Sequence, residues 1–193
     1  MRHRRKAANV VSLPLLLLFL AAGCGKGQQE ERPGASSAGS QARTPYGSIE
    51  EVADYLRQIN PHIQTVSRLQ ARVEEQVGTS GRATGRNLAA AMRQVQPELQ
   101  QAMDEFTRIQ PPALLAGFHA RTARLMATRL EAYNLTIRGQ DETTAGDEPT
   151  WHRQVEGKLD EANALIAELN EEMRQINDAL QAAAASPPRV ATP

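Results

Sequence analysis

The stretch WHRQVEGKLDEANALIAELNEEMRQINDAL, residues 151–180, decides the fold. Its apolar positions are Trp151, Val155, Leu159, Ala162, Ile166, Leu169, Met173, Ile176 and Leu180, in steps of three and four. That is the period of an α-helix with one face turned to a core, and no alternation of period two competes with it. A helix so patterned needs partners to cover its stripe. Reading backwards, three more segments offer the same pattern.

The nearest runs from Leu115 through Phe118, Thr122, Met126, Leu130 and Tyr133 to Ile137, opened by Pro111-Pro112 and closed by Gly139. A polar loop, Gln140 to Glu148, joins it to Pro149 and the helix above. The second stripe is Leu88, Met92, Val95, Leu99, Met103, Phe106 and Ile109, preceded by the glycine-containing loop 78–85. The first begins at Ser48, with Glu51 three residues on as a capping box, in which each side chain satisfies the other's backbone N–H. It continues as Ile49, Val52, Leu56, Ile59, Ile63, Val66, Leu69, Val73 and Val77, and Gly78 stops it. Pro61 and Pro97 interrupt the backbone ladder, yet both stripes keep their phase across them. This predicts kinked helices; two helices meeting at Asn60, with Pro61 in the first position, is the open alternative.

No strand pattern is read anywhere. Four helices of roughly 26 to 32 residues, about 40–48 Å long and joined by short loops, predict an all-α antiparallel up-down-up-down four-helix bundle over residues 48–181. Residues 182–193, rich in Ala, Ser and Pro, read as a disordered tail. Charge favours pairing of the last two helices: residues 113–138 carry four arginines against Glu131, and residues 150–181 carry three cations against seven acids. Each exposed pair contributes under about 1 kcal/mol, so burial of the stripes is the main stabiliser.

The whole chain has 193 residues, 22 Lys+Arg against 22 Asp+Glu, and 40% hydrophobic content, enough for one core. The neutrality is uneven. Arg2, Arg4, Arg5 and Lys6 lie in the first 23 residues, which contain no acid, so the remainder holds 18 cations and 22 anions, a net of −4. A mildly acidic chain lacks the basic footprint of a nucleic-acid binder. One cysteine excludes a disulfide framework and a cysteine metal cluster.

The basic start leads into an apolar run, Ala7 to Leu20, then Ala21-Ala22-Gly23 and Cys24. Basic, apolar and small-residue parts in this order are those of a secretory signal peptide, and about 14 apolar residues fall short of the roughly 20 needed to span a bilayer. The ending Leu20-Ala21-Ala22-Gly23-Cys24 resembles the lipobox of bacterial lipoproteins. The resemblance implies cleavage before Cys24, acylation of Cys24, and membrane attachment through that residue. Gly25 after the cysteine implies the outer membrane of a Gram-negative envelope, with the leaflet open to periplasm or surface. An ordinary signal peptide leaving a free thiol is the alternative. Residues 25–47, rich in Gly, Ser, Gln and Ala without apolar periodicity, read as a flexible tether with a span of about 26 Å. The passage from Pro111-Pro112 to His119, followed by long Ala- and Arg-containing helices, is similar to that of many helical bacterial lipoproteins. That likeness transfers no active residue.

Candidate chemistry is sparse. His62, His119 and His152 flank apolar stripes, but in an up-down bundle they stand at about 21, 9 and 40 Å above the lower end, too far apart to share one ion. No Glu-x-x-His pair or Cys-x-x-Cys-His motif occurs, and Met126 on His119's own helix is placed wrongly for a haem. Ser48 is a cap, and Ser67 has no nucleophile signature around it. Glu74-Glu75, Asp160-Glu161 and Glu171-Glu172 are sequence neighbours that do not face each other on a helix, and read as solvated surface. Gly81 and Gly85 belong to a turn, not a phosphate loop. Six scattered aromatics, Tyr46, Tyr55, Phe106, Phe118, Tyr133 and Trp151, make no stacking platform for bases. Arg121, Arg124 and Arg129 could meet an acidic partner or lipid headgroups; pairing with the acids of the fourth helix is the plainer reading. Trp151 reads as a packing anchor. The expectation is a lipid-anchored, non-enzymatic envelope module with no metal or cofactor, interacting with another envelope protein. The alternative is a periplasmic small-ligand or metal-binding bundle using space near Pro61 and Pro97.

Overall fold

The computed structural model describes residues 42–79, 84–142 and 148–185. Among them, four helices follow one another: α1 (Ile49–Thr79), α2 (Gly85–Thr107), α3 (Ala116–Glu142) and α4 (Glu148–Ala185). A 3-10 turn, Ala113–Leu115, leads into α3. The architecture is the expected antiparallel four-helix bundle. Arg72 and Gln76 on α1 meet Glu98 and Gln94 on α2, and Gln96 on α2 meets Asn134 on α3. Lys158 on α4 meets Glu131 on α3. Arg93 also meets Asp141, and Arg121 and Arg124 meet Glu172 and Glu161, so in each helix pair the numbering runs in opposite directions, as antiparallel neighbours require.

The expected stripes form the core. Val52, Ile59, Leu69, Val95, Leu99, Phe106, Leu115, Met126 and Ile176 are almost wholly removed from water. Burying a side chain of this size stabilises by about 1.5–3 kcal/mol, which makes these residues the principal source of stability. α1 runs unbroken through Pro61 and α2 through Pro97. Both prolines are exposed, as are Arg57 and Arg93, four residues earlier. The carbonyls that lose their helical partner therefore lie on faces open to water, where the loss costs least.

The helices are not equivalent. α3 packs against both α2 and α4, α1 packs against α2, and α4 approaches α1 only sparsely. So α3 is buried well beyond the expected stripe, at Leu125, Thr128, Arg129, Ala132 and Thr136 as well. Thr122 and Thr136 donate their hydroxyls to the carbonyls of Phe118 and Ala132, each at 2.9 Å, which satisfies two polar groups inside the core.

Several boundaries differ from expectation. Arg43–Thr44 (β1) and Gly47–Ser48 (β2) pair antiparallel, so the last residues assigned to the tether form a small hairpin. Gly47 turns it with φ +130°, a conformation that disfavours a side chain, and a Cβ there would stand 2.7 Å from the Glu51 carboxylate. The Ser48 hydroxyl accepts from the Glu51 N–H at 3.1 Å, one of the two bonds of the expected capping box. Two-residue strands are too short to leave a periodic signal. α3 passes through Gly139 instead of ending there, α1 includes Gly78, and α4 continues through residues 182–185. At Gly139 the reason is contact: the Trp151 indole lies flat on its backbone, with Cγ 2.6 Å from where a Cβ would stand. The segment expected to be a signal peptide, Cys24, most of the expected tether and the tail beyond residue 185 lie outside the described residues.

Candidate functional site

The densest group of polar and aromatic side chains sits near the lower end of the bundle, where α1 and α3 begin and α2 and α4 end. Phe106, fully buried near the end of α2, is in ring contact with two histidines. Its ring stacks on His119 of α3 at 4.3 Å and meets His62 of α1 edge-on at 6.4 Å. His119 Nδ1 and the Tyr55 hydroxyl are hydrogen-bonded at 3.1 Å. Tyr55 comes from α1 and is buried, so this bond ties α1 to α3 across the core. His62 Nδ1 stands 3.7 Å from the Glu105 carboxylate.

Burial sets the protonation of the central pair. It pushes the His119 imidazole below its ordinary value and the Tyr55 phenol far above its own, with the nearby Glu172 charge raising the phenol further. Both groups are neutral near pH 7, which makes the contact a neutral hydrogen bond. A phenol held protonated is a poor nucleophile and a poor metal ligand. The three histidines were expected not to converge. The structure places both His62 and His119 against Phe106, and His152 on α4 stacked against Trp151 at 3.7 Å. Among the described residues no group of three or more His, Cys, Asp or Glu side chains is placed to hold a metal ion.

Of Arg121, Arg124 and Arg129 on α3, the first two reach α4. Arg121 bonds Glu172 at 2.5 Å and Arg124 bonds Glu161 at 2.8 Å. Glu161 also receives Lys158 at 3.4 Å, and these donors pull its carboxyl below the usual range, Arg124 first. The adjacent acids therefore divide. Glu171 and Asp160 are exposed, whereas Glu172 and Glu161 are partly covered and paired across the α3–α4 seam, not free on the surface as expected.

Arg129 departs from the plain reading. It is 8% exposed and turns away from α4 to donate to Gln70 of α1, which in turn donates to Glu74 at 2.9 Å. Desolvation lowers the pKa of this guanidinium, while Tyr133 and Glu74 favour its charge. Its Nε has no hydrogen-bond partner among the described residues. A buried charge tied through one neutral amide is weakly compensated, so this contact costs more stability than an apolar one would.

Two features escaped sequence reading. Tyr55 follows Val52 by three and precedes Ile59 by four, so its place on the buried face was available in the spacing. The turn of Arg129 toward Gln70 had no such signal, because a long side chain at that position of α3 is as compatible with reaching α1 as with reaching α4. Beyond these geometries, no helix among the described residues is long and apolar enough to cross a membrane. No protein-family model, curated protein or solved structure matches the chain.

Proposed function

We propose that the protein is an envelope lipoprotein, acylated on Cys24, whose four-helix bundle works by binding another envelope component and not by catalysis. The observation that carries this reading is the position of the single cysteine, immediately after a basic start, an apolar run and Ala21-Ala22-Gly23. Several acyl chains on one residue anchor stably, since a single chain is marginal. The interior supports a binding role. Its polar groups, Tyr55 with His119 and Arg129 with Gln70, link helices to one another, and burial keeps the Tyr55 phenol protonated beside the imidazole. The flanks carry charge of both signs, suited to a polar partner.

The test is fractionation and crosslinking in a Gram-negative host. The native chain is expected in the membrane fraction with one dominant crosslinked partner, and Cys24→Ala is expected to lose both. A Cys24→Ala chain that stays fully membrane-bound refutes acylation. A native chain with no partner refutes the binding role. A second reading, a small-ligand bundle, draws on the unpartnered Arg129 Nε between α1 and α3, a position that would suit an anion. Thermal stabilisation by small anions that is lost in Arg129→Met would favour it.

A further inference from the structure

Three charge-poor segments meet at one end of the bundle. They are the hairpin and its flanks (42–49), the turn from α2 into α3 (106–120), and the last turns of α4 (179–185). Arg43 and Arg108 are their only formally charged residues, and they contain no carboxylate, although 23% of the chain is charged. His119 lies within them, but burial lowers its pKa. Leu114, at the tip of the α2–α3 turn, is 65% exposed and is the one large hydrophobic side chain exposed among the described residues. Ala113, Ala116 and Gly117 around it are also exposed. The opposite end differs: Arg86, Arg138, Asp141 and Arg153 lie near it.

An isolated exposed leucine needs no explanation. This one stands on a turn without acids, the Glu51 carboxylate lying instead against Gly47 of the hairpin, and at the end where the chain enters the bundle. Seventeen residues separate Cys24 from Ala42. Even fully extended they reach no more than about 60 Å, and at coil dimensions roughly 21–25 Å. The coil span is shorter than the roughly 40–48 Å helices, so acyl chains on Cys24 would on average hold this end nearer the bilayer than the charged one.

We infer that the α2–α3 turn around Leu114 docks on the lipid surface, standing the bundle on its charge-poor end, with Arg43 and Arg108 beside anionic headgroups. The inference rests on acylation of Cys24. Glu50, Glu51, Asp104, Glu105 and Asp178 follow on the helices just above this end, so contact stops at the tip: the turn inserts and the helices remain in water.

The test uses the mature acylated chain in vesicles of phosphatidylethanolamine and phosphatidylglycerol containing brominated acyl chains. Trp151, the only tryptophan, lies at the far end and is the internal control. In a Leu114→Trp, Trp151→Phe chain, quenching at least about twofold greater than at native Trp151 is expected, because the brominated chains quench only an indole that reaches them. A chain that floats with the vesicles but shows equal, weak quenching at both positions overturns the docking and leaves acylation intact. A chain that fails to float, or floats equally as Cys24→Ala, overturns acylation, and the docking with it.

Discussion

Replacing Gly139 and Gly157 by alanine separates helix propensity from packing. Both glycines lie inside helices, and in a helix interior alanine is favoured over glycine by about 0.8–1 kcal/mol. At Gly157, on the exposed face of α4, an added Cβ meets nothing within 4 Å. Gly157→Ala should gain the full amount, about 2–4 °C in Tm for a chain of this length. At Gly139 the same methyl runs into the indole of Trp151, whose Cγ and Cε2 would stand 2.6 and 2.9 Å away. The obstacle is the ring itself and not a flexible tip, so the indole or the helix must move, at a cost of about 1–3 kcal/mol. The net for Gly139→Ala is a loss of about 0–2 kcal/mol, and the two variants should differ by about 1–3 kcal/mol. Thermal unfolding of the mature Cys24→Ala chain, followed by far-ultraviolet circular dichroism, measures that gap. Because Trp151 is the only tryptophan and its Nε1 is buried, Gly139→Ala should also shift its emission to longer wavelength. Equal stabilisation by both substitutions, with unchanged emission, would refute the packing of the indole on α3.

Arg129→Met should be neutral or stabilising by up to about 4 kcal/mol in urea unfolding, because it removes a poorly compensated buried charge; a loss above about 3 kcal/mol would show that the link to Gln70 holds α1 in place. Stability should fall as pH drops below about 6.5, because the unfolded chain then protonates His119 while the folded chain, with its lowered pKa, does not. The decline levels off once pH passes the folded value. The midpoint in urea between pH 7.5 and 5 measures it, and a Tyr55→Phe, His119→Phe chain should flatten the dependence; an undiminished slope in that variant would assign it to other groups.

Much of the fold was legible because burial of a helix face imposes its period directly on the residues. The stripe from Val155 to Leu180 needed no neighbour to be recognised, and the phase kept across Pro61 and Pro97 already spoke for continuous helices. Glycine was less reliable as a stop signal. Gly139 has the composition of a helix end, but its missing side chain serves a contact with Trp151, which lies across the loop and is invisible to local reading. The hairpin at 43–48 escaped because two residues per strand cannot display alternation. The site was less legible still. Histidine spacing set His62 and His119 about 12 Å apart along the bundle, and nothing in it revealed that both rings lie against Phe106.

The sequence by itself determined the helices, their order and their inward faces, since these depend on periodicity and on residues within a few positions of each other. It also supplied the whole case for an anchor at Cys24, which rests on the linear order of basic, apolar and small residues. The tertiary structure decided how each inward face is shared. α3, packed between α2 and α4, buries Arg129 and Thr136 that a one-sided stripe would have left outside. It also decided which acids are paired between helices: Glu172 and Glu161 face arginines across the α3–α4 seam, while Glu171, paired with Arg174 on its own helix, and Asp160 are exposed. Neighbours in sequence point about 100° apart on a helix, so only the placement of the next helix determines which of them meets a partner.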